Sequence, residues 1–222
     1  MIMPKKWTDI TVNDFLNHLS NIKLTKVDGK YCNALIDPPF SEVYWDMCLE
    51  NSWLSPSQEE FIEKVMLKCH LVNSCDMRYR IGYLAFPALI RQHHFGLKLV
   101  DMLGTQCVVG GVLLDASYGV DWAVTYEEDI EARIYAIHLS VDTWNAKKHE
   151  RDNFHLHVKQ NIYLRVKLNK RDALHVGMEE GFFLHPDSDL EIVLNILRAG
   201  MNDNSHANIA TEIGNIEDVL GI

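Results

Sequence analysis

The sequence predicts an α/β (α+β) protein built around one mainly mixed sheet. Three observations predict this. Residues 11–22, 57–72 and 78–102 carry apolar side chains at helical spacing. Between about residues 106 and 168 the pattern changes to short runs rich in β-branched and aromatic residues. A helical period returns at 189–200. Helices, then a strand-rich centre, then a helix is the order of helices packed on a sheet.

Each element has a local cause. Residues 11–22, "TVNDFLNHLSNI", open on a threonine suited to capping. In "SPSQEEFIEKVMLKCHLV", Ser57 is the cap, acids fill the first turn, and Phe61, Ile62, Val65, Met66 and Cys69 share a face. Residues 78–102 read as one long helix in which Pro87 sits near the start or makes a kink, because an interior proline removes a hydrogen bond. The strand candidates are "QCVVGGVLL", "VDWAVTY", "ARIYAIHLSV" and "FHLHVKQNIYLRVKL", with "GFFLH" (181–185) as a further short strand. "DLEIVLNILRAG" reads as a closing helix with a glycine behind its last apolar turn. "TEIGNIEDVLGI" is a weak helix in a polar tail. There is no internal repeat. The expected organisation is a single domain over 1–222, with a helical part (1–76), a core (77–198) and a loose acidic tail (199–222).

The 222 residues are 47% hydrophobic, enough for a sizeable core. Five cysteines (32, 48, 69, 75 and 107) are scattered, odd in number and never at C-x-x-C spacing. That argues against a disulfide scaffold or zinc ribbon and predicts a reducing, cytoplasmic setting. No run approaches a membrane span, and "MIMPKKWTDITVNDF" has no signal-peptide core. The net charge of −10 is unevenly spread. Residues 77–100 hold Arg78, Arg80, Arg91 and Lys98 and no acid, residues 147–171 hold eight cations against two acids, and residues 185–222 hold seven acids against Arg198. Such asymmetry creates local fields that attract phosphates within an acidic protein.

The chemistry-bearing stretch runs from Gly119 to Arg151. Asp121 lies inside the apolar strand "VDWAVTY", where an acid needs a partner, a cation or a catalytic reason. The next strand carries His138 and ends at Asp142, and the basic run Lys147, Lys148 and Arg151 follows. Metal-assisted phosphodiester hydrolysis needs carboxylate oxygens for Mg²⁺ and positive charge near the attacking water. Blander readings stand beside this one. Asp121 can be a strand-edge acid, His138 a satisfied core histidine, Asp142-Thr143 a helix cap, and Lys147 to Arg151 a solvated helix face. His93-His94, His149, His155 and His157 lack cysteines or acids at zinc spacing.

The segments "GVD" (119–121) and "IHLSVDTWNAKKHER" (137–151) resemble the PD-(D/E)XK nuclease core, and "RIGYLAFPALIRQHHF" resembles the arginine-bearing helix that precedes it. The resemblance covers residues 78–152. It implies a restriction-endonuclease-like core with a central mixed sheet flanked by helices. It also implies a Mg²⁺ (or Mn²⁺) cofactor, double-stranded DNA as partner and a homodimer acting in restriction-type cleavage. Asp121 matches the metal-binding aspartate. His138 stands where the second ligand is expected, and Ser140 where the lysine is expected. Lys147 or Lys148 would restore the charge, and Asp142 or Glu131 would give a second carboxylate; Glu131-x-Arg133 offers another register. Arg78, Arg80 and Arg91 would contact phosphates or pair with the acidic C-terminal region. Arg151 and the segment carrying Lys159, Arg165 and Lys167 would face DNA. The alternatives are an inactive DNA-binding protein or an immunity-type protein-binding module on the same scaffold.

Overall fold

The computed structural model describes residues 9–29, 39–70, 75–104, 108–110, 120–125, 134–141, 160–166, 182 and 184–201, and among them the protein is mixed α/β. The chain divides into two compact units, Met1–Leu97 with Leu174–Leu184, and Lys98–Ala173 with His185–Ile222. The boundary expected at 76/77 lies inside the first unit. The expected helix at 211–222 lies outside the described residues.

The described part of the first unit is helical. Helix α1 (Val12–Leu19) and helix α3 (Gln58–Lys68) each begin with a capping box, Thr11 with Asp14 and Ser57 with Glu60. Between them helix α2 (Phe40–Glu50) begins at Pro39 with no side-chain cap and contributes buried Val43, Tyr44 and Cys48. The core joins Phe15 and Leu19 of α1 to Tyr44, to Phe61, Ile62 and Val65 of α3, and to Phe86 and Ile90. Phe182 and Leu184 complete it, with the Phe182 ring 6.1 Å from that of Phe86. Phe182 and Leu184 are not in a strand, which corrects the expectation for 181–185. Their burial comes from filling a helical core.

The helix expected over 78–102 is not uniform. It starts as α4 (Cys75–Tyr79), widens into a π-helical turn (Arg80–Ala85) and resumes as α5 (Phe86–Leu103). Pro87 explains the place. It has no N–H for the Tyr83 carbonyl, and its ring would crowd that carbonyl in a regular helix. In the widened turn the Phe86 amide donates to Ile81 O, five residues back. The Gly82 carbonyl accepts instead from Gln58 Nε2 at 2.9 Å, while Gln58 Oε1 accepts from Thr25 N (2.8 Å) and Thr25 Oγ1 (3.0 Å). One buried glutamine side chain therefore satisfies groups that regular structure leaves open. A Cβ on Gly82 would lie 2.6 Å from Ile62 Cδ1, which is why glycine suits this contact.

The second unit holds a four-stranded sheet in the order β1-β2-β3-β4, formed by β1 (Val108–Gly110), β2 (Trp122–Thr125), β3 (Ile134–Val141) and β4 (Gln160–Val166). β1–β2 and β2–β3 are antiparallel and β3–β4 is parallel, so the sheet is mixed as expected. Val124, Tyr135, Ile137, Ile162 and Leu164 are buried, as is Trp122, which pairs with Gly110. A Cβ on Gly110 would stand 2.0 Å from Trp122 Cζ3.

Helix α6 (Asp187–Met201) follows Pro186 and buries Leu190, Val193 and Leu197 at helical spacing. It reaches Met201, so 199–201 are helical rather than the start of a loose tail. Asp187 and Asp189 occupy its first turn, where acids complement the helix dipole. Lys98 Nζ pairs with Asp187 Oδ1 at 2.5 Å and donates to His185 O at 3.2 Å. The alternative that the sequence offers for Arg78, Arg80 and Arg91, pairing with the acidic C-terminal region, does not include this lysine. No described helix is long and apolar enough to cross a membrane, and Cys48, Cys69 and Cys75 are free thiols.

Candidate functional site

Asp121 sits half-buried at the head of β2. Its amide donates to Ile137 O at 3.1 Å, although the ladder partner of Ile137 is Trp122. Asp121 and Trp122 therefore both address Ile137, an offset of one residue where the chain enters β2. The Asp121 carboxylate is turned onto β3, where Oδ2 accepts from the Leu139 amide at 2.5 Å. The acid therefore lies against the strand segment that carries His138.

His138 is 8% exposed and pairs in register with Tyr163 of β4. The two rings stack at 4.6 Å with 15° between their planes. Stacking restrains the plane of the imidazole. Ser140 lies two residues on, on the same side of the strand, and pairs in register with Arg165. Tyr163 was not singled out by sequence reasoning. The alternation in "IYLRVKL" was the available signal, since a parallel neighbour of His138 places its own side chain beside the imidazole.

The other expected site residues separate into three groups. Asp142, Glu131, Arg133, Lys147, Lys148, Arg151, Lys159 and Lys167 lie outside the described residues, as do His149, His155 and His157. Arg165 is placed only by its backbone. The three arginines of the preceding helix belong to the first unit and have different environments. Arg78 Nη1 donates to Glu63 Oε1 at 2.6 Å and Nη2 pairs with Glu59, so this cation has carboxylate partners and its charge is locally offset. These hydrogen bonds push the Arg78 pKa up and hold Glu63 below the usual carboxylate range. Arg91 is 7% exposed within a stretch, 89–97, that is buried throughout. A phosphate contact would need this guanidinium to be accessible. Arg80, at the first position of the π turn, is half-buried.

The strongly perturbed titratable groups among the described residues, Tyr44, Cys48 and His93, lie elsewhere. His93 of α5 is 0% exposed, with its ring centroid 4.4 Å from Phe15 and 4.8 Å from Trp45. Nδ1 is hydrogen-bonded to Tyr44 Oη at 3.1 Å and lies 3.9 Å from Cys48 Sγ, while Nε2 is buried without a hydrogen-bond partner. Burial first, then the neighbouring His94 and His18, push its pKa down to about 3, so the ring is neutral. Burial drives the Tyr44 hydroxyl and the Cys48 thiol the other way. Perturbed groups mark functional sites only where a substrate reaches them, and this cluster is sealed inside a helical core. It is a structural polar network. Among the described residues no group of three or more His, Cys, Asp or Glu is placed to hold a metal ion.

Comparison of the chain with protein-family models, with curated proteins and with solved structures finds no match.

Proposed function

We propose that this protein is a metal-dependent DNA endonuclease of the restriction-endonuclease-like kind, centred on Asp121. The observation that supports the reading is the entry to β2, where the Asp121 carboxylate accepts from the Leu139 amide of β3, one residue past His138, the position where the resemblance expects the second ligand. The mixed sheet agrees with the implied core. Asp121 would hold the divalent cation, with His138 and with Asp142 or Glu131 as further donors. When bound, the cation would polarise a phosphodiester and acidify a water. Lys147 or Lys148 would supply the charge that Ser140 cannot, and double-stranded DNA and a second copy of the chain would be the partners.

A second reading is an inactive protein on the same scaffold that binds DNA or another protein. The carboxylates on Arg78 and the burial of Arg91 favour its protein-binding form, because both subtract from the positive surface a duplex needs. A plasmid-cleavage assay with Mg²⁺ and with Mn²⁺, beside Asp121→Ala, separates the two. Cleavage by the wild type alone supports the nuclease. No cleavage but a salt-sensitive gel shift supports the inactive DNA binder, and neither result moves the function to a protein partner.

A further inference from the structure

We draw no further inference here: the strongest candidate, the exposed surface patch on the π turn of the first unit where Tyr83 stacks on Tyr79 next to Leu84, carries nothing, because nothing in the structure shows what covers it and the nearby Arg78 is already held by Glu59 and Glu63, so its charge singles out no anionic partner.

Discussion

Acidification should destabilise the first unit through His93, and the size of the effect follows from its surroundings. The ring is fully buried between Phe15 and Trp45 beside Tyr44, and its pKa is held near 3 against an ordinary 6.5. The folded-state value is depressed, so the unfolded chain takes up the proton first. Stability is complete above about pH 6.5 and is lost as pH falls from there towards 3. Linkage gives a loss of about 2 kcal/mol at pH 5 and about 3 kcal/mol at pH 4, approaching roughly 5 kcal/mol below the folded value. Glu60 and Glu63, held low by Ser57 and Arg78, also lose stabilisation in acid. Comparison with His93→Gln cancels those contributions, because the glutamine keeps a polar group near Tyr44 and does not titrate. Urea unfolding at pH 7.5, 6, 5 and 4 is the assay. At pH 5 the wild-type midpoint should fall roughly 1 M further than that of the variant. Parallel curves for the two proteins from pH 7.5 to 5 would show that His93 is not a buried neutral imidazole and would refute the reasoning.

Other outcomes follow from single contacts. Gln58→Leu leaves the Gly82 carbonyl and the Thr25 amide unmatched, and should cost about 2–4 kcal/mol in urea unfolding. Gly110→Ala drives a methyl into the Trp122 ring; a loss of about 2–3 kcal/mol with a changed Trp122 near-ultraviolet signal is expected. Ser57→Ala removes the acceptor for the Glu60 amide and should lower stability by about 1 kcal/mol. Arg78→Ala should leave the salt slope of any DNA gel shift unchanged, since Glu59 and Glu63 already neutralise that cation.

What was legible in the sequence was local. The α1 and α3 starts are written in Thr11-x-x-Asp14 and Ser57-x-x-Glu60, signals that act within four residues. The strands from 122 to 166 announced themselves by β-branched and aromatic runs, and Asp121 by being an acid within one of them. Helix α2 was not expected, because Pro39 provides no side-chain cap and its buried Val43, Tyr44 and Cys48 depend on distant partners. The short apolar run at 181–185 reads as a strand because so few residues carry no distinguishable period; Phe182 and Leu184 are instead ballast for a helical core. The burial of Arg91 is not legible, because sequence does not disclose that α5 is surrounded along 89–97. The Leu139 amide that receives Asp121 is main chain and leaves no trace in residue identity.

The π turn at 80–85 amounts to a helix with one residue too many. Ile81 and Phe86 are both fully buried and five apart, while Leu84, which an uninterrupted helix would bring to the same side as Ile81, is exposed. The surplus residue shifts the phase of everything after it by about one residue's rotation, roughly 100°. The buried stripe that begins at Ile81 is thereby handed to Phe86, Leu89 and Ile90. Deleting a single residue between Arg80 and Ala85 would remove the widened turn, although Pro87 would still leave one carbonyl of the ladder without a donor. It would also turn Phe86 away from Phe61 and take from Gln58 the carbonyl it holds, so a more regular helix would make a worse core.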